Sequence, residues 1–293
     1  MRQAQRRTST GLALYDRAAA DAAATVIARY STSFGLACRL LGPRPRPHVR
    51  NIYALARIAD EIVDGPAAEA GMTPQAMSEV LDQLEQEVLD ATDRGFSSNL
   101  VVHAFAGTAR ECGIGPELVA PFFASMRTDL HTQQHDAMSH DTYVYGSAEV
   151  IGLMCLQVFV NAGAPHPITP SPELTEGARR LGAAFQDVNF LRDRNHDDAV
   201  LGRDYLGLTG DEVGRTAILD RIDADLAAAA RTIPALPADC RRAVTAAHDL
   251  FAELAARLRT CGDDDARVRV PDAVKARLAA RALLGFAPRE ARA

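Results

Sequence analysis

Apolar residues recur along this chain at intervals of three and four, which is the spacing of an α-helix with one buried face. Proline at the first turn and glycine just past the last turn mark the ends of many segments. The pattern predicts helices from Pro47 to just before Gly65-Pro66, Thr73-Pro74 to about Ala91, Ser98 to Cys112, Pro116 onward, Ser147 to Asn161, Ser171-Pro172 to about Asp197, and over about 211–231, 237–260 and 271–285.

The stretches between these segments are brief and contain neither a Ser/Gly-rich linker nor a repeat of fixed period. Residues 266–270, ARVRV, are too short and isolated to indicate a sheet. We therefore predict one all-α domain over residues 1–293, with an N-terminal extension over 1–24 and a C-terminal tail over 286–293. The loop GPRPRP at 42–47 is predicted to be a stiff, basic spacer.

Polar residues form a narrow stripe on the helix that contains RIADEIVD, residues 57–64. At about 100° per residue, the stripe occupies a sector roughly 60° wide. A second stripe runs along the segment 183–207 in the same way. The first consists of Tyr53, Arg57, Asp60 and Asp64, and the second of Gln186, Asn189, Asp193 and Asp197.

Each stripe ends in two aspartates one helical turn apart, in a DxxxD pattern. One such pair is common on solvated helix faces and is weak evidence of a metal site. Two pairs, each preceded by uncharged hydrogen-bonding residues and flanked by apolar ones, favour a shared cavity. Facing carboxylates are costly without cations between them, and Mg²⁺ prefers carboxylate, water and phosphate oxygens. We predict a Mg²⁺–diphosphate site between the two helices, with Mn²⁺ as the alternative ion.

Composition and charge restrict the class of protein. The formal net charge of −6 argues against a nucleic-acid-binding surface. Five scattered cysteines without a CxxC pair indicate neither a disulfide framework nor a zinc knuckle, and favour a reducing compartment. Asp16 and Asp21 interrupt the basic N-terminus, and the longest apolar stretch, 150–160, is too short to span a bilayer. These features predict a cytoplasmic, non-spanning protein.

The motifs resemble those of the squalene and phytoene synthases, the head-to-head prenyl synthases of the all-α isoprenoid synthase fold. The resemblance extends over about residues 25–285, is closest to the bacterial phytoene synthases, and implies a helical bundle with a central active-site cavity. The motifs that carry it are YSTSFGLACRLL at 30–41, IYALARIADEIVD at 52–64, TYVYGSAEVIGLM at 142–154, FQDVNFLRDRNHDDAVLGRDYL at 185–206 and RVRVPDAVKARLAARALL at 267–284.

The resemblance implies a role for each matching residue. The metal ligands would be Asp60, Asp64, Asp193 and Asp197. The diphosphate would be held by Arg57, Arg203, Ser31 and Ser33. Tyr53, Tyr143 and Tyr205 would line the polar mouth, and Gln186 and Asn189 would orient the ligands. The candidates for the apolar wall are Phe34, Leu36, Val150, Leu153, Met154, Val158 and Phe185. Ordinary core packing also explains most of these apolar residues.

Two departures from the family pattern leave questions open. Asp198 stands next to Asp197, and a helical bulge would make Asp198 the ligand instead. Glu149 lies within an apolar run and needs a partner.

The resemblance implies condensation of two prenyl diphosphates through a cyclopropylcarbinyl diphosphate to a 1-1′ linked product. We expect two geranylgeranyl diphosphates to give phytoene in carotenoid biosynthesis. No Gly-rich dinucleotide fingerprint is present, so NADPH is not expected. The alternatives are a C30 enzyme making squalene, dehydrosqualene or presqualene diphosphate from farnesyl diphosphate, a prenyl diphosphate cyclase, and a non-catalytic prenyl-binding relative.

Two further segments carry weaker signals. His131 and His135 have zinc-like spacing, but a solvated turn over 129–141 is the favoured interpretation and no zinc is assigned. The basic, amphipathic segment 271–293 is expected to pack on the bundle, and peripheral contact with the inner face of the membrane stays open as an alternative. The oligomeric state is left open.

Overall fold

The computed structural model describes residues 11–31, 33–132, 137–196, 206, 212–261 and 268–289, and for 33, 137, 194–196 and 212 it describes the backbone only. Most of the described residues are helical, and none of them lies in a strand. The helices are α1 (Leu12–Tyr30), α2 (Ser33–Leu40), α3 (Arg46–Val63), α4 (Pro66–Glu69), α5 (Pro74–Arg94), α6 (Leu100–Cys112), α7 (Pro116–Thr128), α8 (Ala137–Val144), α9 (Val150–Asn161), α10 (Pro172–His196), α11 (Glu212–Thr232), α12 (Ala238–Thr260) and α13 (Asp272–Leu283).

The helices predicted from residue 47 onward are confirmed within the described residues, α4 and α8 are additional to them, and local capping explains several of the bounds. The Thr73 hydroxyl accepts a hydrogen bond from the backbone N–H of Ala76, and Asn99 caps α6 in the same way. Gly113 ends α6 at a φ of 73°, a left-handed conformation that glycine adopts at little cost. Short polar caps and a glycine therefore locate the helix ends that the sequence pattern indicated.

The sequence pattern predicted no helix before residue 47, yet α1 and α2 occupy most of residues 12–40. The buried face of α1 consists of Ala19, Ala23 and Ile27, and the two alanines pack against Ala54 of α3 and Ala104 of α6. Alanine gives little hydropathy contrast between the two faces of a helix, so no periodic signal appears. Residues 12–24, placed by the sequence in an N-terminal extension, form most of α1.

A longer helical unit than expected carries the central apolar segment. α8 continues through a π-helical turn, Tyr145–Glu149, into α9. By length and composition, the 24 residues Met138–Asn161 suffice to cross a membrane, but 56% of the apolar window is buried inside the protein. The expectation that this apolar segment is too short for a membrane span was therefore wrong about its length. Its burial is that of a core helix.

This unit crosses α10 at very short range. A Cβ atom added to Gly152 would come within 2.5 Å of the Ala178 carbonyl oxygen, and one added to Gly182 within 2.7 Å of the Ala148 carbonyl oxygen. Next to the crossing, Glu149 has the partner that its burial requires, since the Arg179 guanidinium Nε lies 2.7 Å from its carboxylate. The two helices are thus fixed against each other by backbone contact and one ion pair.

The loop at 42–47 joins two helix ends through Arg44. Its guanidinium forms a bidentate ion pair with Asp239, at 2.8 and 2.9 Å, in the first turn of α12. It also donates to the backbone carbonyls of Phe159 and Ala162, both at 2.9 Å, at the end of α9. This loop therefore holds the end of α9 against the start of α12 through Arg44, and we call this set of contacts the clamp. The sequence pattern predicted the loop only as a stiff spacer.

Arg44→Ala should lower the free energy of unfolding by about 2 kcal/mol, because it leaves two helix-end carbonyls and one carboxylate without their charged donor. Urea denaturation followed by circular dichroism would measure the loss. Arg39→Ala removes an exposed arginine of α2 and serves as the control, with an expected change below about 0.5 kcal/mol. Equal losses in the two variants would contradict the clamp.

Candidate active site

A cavity of about 700 Å³ lies among α2, α3, α7, α10, α12 and the continuous unit from α8 to α9. Its polarity changes along two of these helices. The first half of α10 contributes Leu174, Ala178 and Leu181, whereas the second half contributes Gln186 and polar residues beyond it. α3 shows the same order, with Val49 early and its acids at the end. The cavity is therefore apolar at one end and acidic at the other.

The structure places all of the first predicted stripe on the cavity wall: Tyr53, Arg57, Asp60 and Asp64. Asp64 lies just past the last turn of α3, and its backbone N–H donates to the Asp60 carbonyl at 2.8 Å. Arg57 lies between two neighbours, with its guanidinium 3.1 Å from Glu61 and over the Tyr30 ring at 5.2 Å from the ring centre. Its distance to the Asp60 carboxylate is 4.0 Å.

The second stripe also faces the cavity, through Gln186, Asn189 and Asp193. Arg192, the residue before Asp193, donates to both carboxylate oxygens of Asp193 from its guanidinium. Four predicted positions lie outside what the structure describes: Asp197 with its alternative Asp198, Arg203, Tyr205 and the Ser33 side chain.

The N-terminus of α2 contributes a capped helix end and an aromatic pair to the cavity. The Ser31 hydroxyl accepts hydrogen bonds from the backbone N–H groups of Phe34 and Gly35, at 3.1 and 3.4 Å. The ring of Phe34 stacks on that of Tyr53, with the ring centres 5.5 Å apart. Ser31, Phe34 and Tyr53 all line the cavity, so this prediction of position agrees with the structure.

Among the cavity residues that sequence reasoning missed are Tyr30, Asp129 and Arg192. Asp129 follows the end of α7 and is buried, and the Tyr143 hydroxyl donates to its carboxylate at 2.8 Å. The prediction of a solvated turn over 129–141 is therefore wrong for Asp129, and also for the buried His140. No local spacing marks Asp129, because it reaches the site through the packing of α7 against the π-helical turn.

The acidic end holds its carboxylates at an electrostatic cost. Burial, reinforced by repulsion from Asp64 and Asp129, raises the pKa of Asp60 to about 8, although Arg57 opposes the shift. Bringing a divalent cation to these oxygens would relieve that repulsion. The donor set, carboxylates with the Asn189 and Gln186 amides nearby, suits a hard ion such as Mg²⁺.

Within the described part of the chain, no three acids, histidines or cysteines stand close enough together to hold a metal ion. Asp60, Asp64 and Asp193 fit Mg²⁺ by chemistry, and they would need further oxygen ligands. Asp197, in a segment beyond the described residues, and diphosphate oxygens are the expected sources.

The π-helical turn keeps a long row of side chains on the cavity. Tyr143, Ser147, Ile151 and Cys155 all line it, at steps of four residues. In an α-helix, each such step advances about 40° around the axis, so three steps would turn Cys155 about 120° away from Tyr143. The wider turn, in which the Val150 N–H donates to the Tyr145 carbonyl, takes up part of that rotation.

The apolar wall differs from the predicted set. Phe34 and Phe185 line the cavity, and Phe185 stacks on Phe251 with the ring centres 3.8 Å apart. Val150, Met154 and Val158 belong instead to the core cluster on the other side of α9, as the packing explanation allowed. Residues from α12 complete the wall at the apolar end, namely Ala243, Val244, Ala247 and Phe251.

Known proteins share sequence similarity with this chain. The family model described as squalene/phytoene synthase matches residues 27–210. The chloroplastic phytoene synthase of Daucus carota is 32% identical over 187 residues, which is 64% of this chain and 45% of that protein. The 15-cis-phytoene synthase of Synechococcus elongatus is 31% identical over 198 residues, 62% of this chain and 58% of that protein. The chain spans about half the length of the curated relatives it matches.

Solved structures share the fold. A dehydrosqualene synthase crystallised with a ligand has a TM-score of 0.76 at 21% identity, covering 92% of this chain and 97% of that one. A squalene synthase from Alicyclobacillus acidocaldarius has a TM-score of 0.72 at 18% identity, covering 84% and 95%. The predicted all-α bundle with a central cavity is confirmed.

Asp60→Asn should stabilise the metal-free protein at pH 8. The folded-state pKa of Asp60 lies above its ordinary value of 3.8, so stability is lost as pH rises from about 4 to about 8. The Asp60 side chain is 32% exposed; with solvent screening we expect a gain of about 1–2 kcal/mol at pH 8 and almost none at pH 4.

Chemical denaturation at both pH values in a chelator measures this difference. Asp93→Asn, at an exposed acid on α5, is the control and should change little. A destabilised Asp60→Asn at both pH values would show that the carboxylate is not under repulsion.

Proposed function

This chain belongs to the squalene/phytoene synthase family, and we propose that it joins two prenyl diphosphates head to head through a cyclopropylcarbinyl diphosphate. The observation that carries the proposal is one cavity with carboxylates at one end and hydrocarbon walls at the other. A prenyl diphosphate has the same division between a charged head and an apolar chain. The cavity therefore orients its substrate by polarity before any specific contact forms.

At the acidic end, the protein would hold the leaving diphosphate. Mg²⁺, bound through Asp60, Asp64, Asp193 and Asp197, would supply the positive charge that stabilises diphosphate as it departs. Arg57 lies on the cavity wall beside Asp60, and its forked donors suit phosphate oxygens. Its present partners, Glu61 and the Tyr30 ring, keep the guanidinium positioned beside the aspartates.

Between the two ends, aromatic side chains would stabilise the carbocations. The stacked rings of Phe34 and Tyr53 lie next to the acidic end, and the stacked rings of Phe185 and Phe251 lie further along. Aromatic faces attract cations and offer no nucleophile. The Tyr143 hydroxyl donates to the Asp129 carboxylate, which fixes the position of the Tyr143 ring on the cavity wall.

The length of the apolar wall supports a C20 substrate. From Leu174 to Phe185, α10 presents about 17 Å of wall, at 1.5 Å per residue. A bilayer core about 30 Å thick is two acyl chains deep, or about 15 Å per chain. The main chain of a geranylgeranyl group is of fatty-acyl length, whereas that of a farnesyl group is shorter. We therefore propose geranylgeranyl diphosphate as the substrate and phytoene as the product, with loss of a proton and without NADPH.

The test is incubation of the purified protein with geranylgeranyl or farnesyl diphosphate, with Mg²⁺, and with or without NADPH. Extracted hydrocarbons are identified by mass. Phytoene formed without NADPH is the expected result, and a C30 product would overturn the chain length while retaining the reaction.

Asp60→Asn should lower kcat by about 10²- to 10³-fold, because it removes one ligand to the departing charge. Asp93→Asn should leave kcat unchanged. Absence of any product, together with Mg²⁺-dependent binding of either substrate, would assign the chain to a non-catalytic prenyl-binding role.

The apolar end gives a separate prediction on chain length. Ala247 lines the cavity on α12, so Ala247→Phe should shorten the space for the prenyl chain. With both substrates present, we expect the ratio of C40 to C30 products to fall at least tenfold, since one misplaced ring costs about 1–3 kcal/mol. Ala256→Phe, at an exposed position of the same helix, should leave the ratio unchanged. An unchanged ratio of C40 to C30 products in both variants would show that α12 does not limit the length of the prenyl chain.

A further inference from the structure

A second cavity, of about 340 Å³, lies between α13 and the segment that follows it. It is lined by Arg277, Leu278, Arg281 and Arg289, none of which lines the large cavity. We call it the arginine pocket. Three of its four lining residues are guanidinium side chains, in a chain whose formal net charge is −6.

The pocket is built by the chain folding back onto α12. The backbone N–H of Arg289 donates to the Asp249 carboxylate at 2.8 Å, and its guanidinium lies 3.0 Å from Glu253. Leu278, only 2% exposed, packs at the base. The arginine of the C-terminal segment is therefore fixed in place opposite α13.

Positive charge in the pocket exceeds the negative charge that balances it. The single carboxylate of Glu253 is shared by Arg289 and Arg257, since Arg257 also donates to it at 2.9 and 3.0 Å. In the part of the chain that the structure describes, neither Arg277 nor Arg281 pairs with a carboxylate. The Arg281 guanidinium lies over the Phe286 ring, at 5.1 Å from the ring centre, and its Nε is buried with no hydrogen-bond partner there.

A buried donor without an acceptor is costly, and an anionic oxygen would satisfy it. Guanidinium groups from two sides of a pocket match the tetrahedral oxygens of a phosphate group, to which they donate in pairs. The chemistry of the pocket is therefore that of a phosphate site.

The surroundings indicate which phosphate compound fits. Leu283, Leu284 and Phe286 stand next to the pocket in sequence and are 49%, 76% and 54% exposed. Large apolar side chains beside a basic pocket complement a lipid, which has a phosphate head and acyl chains. A free phosphate would not require them.

We propose that the arginine pocket binds the phosphate of an anionic phospholipid, with Leu284 and Phe286 entering the acyl region of the membrane. The C-terminal face of the protein then docks on a membrane surface. This inference does not depend on the reaction proposed above, although a membrane would receive a water-insoluble hydrocarbon product.

Vesicle flotation with the full-length protein tests the proposal, and it needs no catalysis. Vesicles of phosphatidylcholine alone are compared with vesicles that also contain phosphatidylglycerol. The wild type should float with the anionic vesicles. The affinity of Arg277→Gln/Arg281→Gln for the anionic vesicles should be about 25-fold lower, since each of the two arginines near an anionic surface contributes about fivefold.

Arg17→Gln/Arg29→Gln is the matched control, because it removes the same charge from exposed positions of α1 and should bind as the wild type does. Binding of the arginine-pocket variant equal to the wild type would overturn the proposal. Equal binding of the wild type to neutral and anionic vesicles would overturn it as well.

A third variant separates lipid from free phosphate. Leu284→Ser changes a side chain that is 76% exposed and leaves the arginines intact, so it should weaken vesicle binding. Thermal shifts with inorganic phosphate, compared between wild type and Arg277→Gln/Arg281→Gln, report the pocket in solution. The lipid proposal would be overturned if inorganic phosphate raised the melting temperature of the wild type but not of that variant, and the wild type did not bind vesicles. The pocket would then be assigned to a free phosphate.

Discussion

Repulsion between carboxylates in a largely apolar cavity is the constraint on which this site depends. Asp60 faces Asp64 and Asp129, and burial together with that repulsion moves its pKa to about 8. The free-energy cost of such a cluster is compensated at one end of a cavity, where a cation and a diphosphate can enter. Beside the hydrocarbon chain, the same carboxylates would stay uncompensated and would destabilise the fold. The order of the cavity-lining residues along α3 and α10 separates the two, because the apolar ones come mainly from the first half of each helix and the acidic ones from the second.

The rest of the fold keeps those two helices in register. α10 is held against the α8–α9 unit at Gly152 and Gly182, where backbone meets backbone, and by the Glu149–Arg179 ion pair. Arg44 ties the end of α9 to the start of α12, which closes the apolar end. These contacts lie away from the acidic end, so packing along the apolar part of the bundle positions the carboxylates.

Most helices, the first polar stripe and the second as far as Asp193 could be predicted from local sequence, because helical periodicity and capping residues such as Thr73 and Asn99 act within one or two turns. The alanine-rich helix α1 could not be predicted from local sequence, since its buried and exposed faces differ little in hydropathy. The positions of Asp129 and Arg192 in the site could not be predicted in this way either. Asp129 enters the site only through tertiary packing, and the pairing of Arg192 with Asp193 depends on side-chain rotamers that no spacing reveals.

The π-helical turn at Tyr145–Glu149 has an evolutionary consequence. A π-helical turn accommodates one residue more than the α-helix around it, and the flanking helices keep their facing. Loss of one codon within the turn would restore a regular α-helix in which Cys155 follows Tyr143 by eleven positions, about 20° away at 100° per residue. Ile151 and Cys155 would then stay on the cavity wall, and Gly152 would stay at its crossing with α10. The same loss in α8 or α9 outside the turn would rotate the residues after it by about 100°. Lineages descended from this gene should therefore vary in length at this turn more readily than in the helices on either side of it.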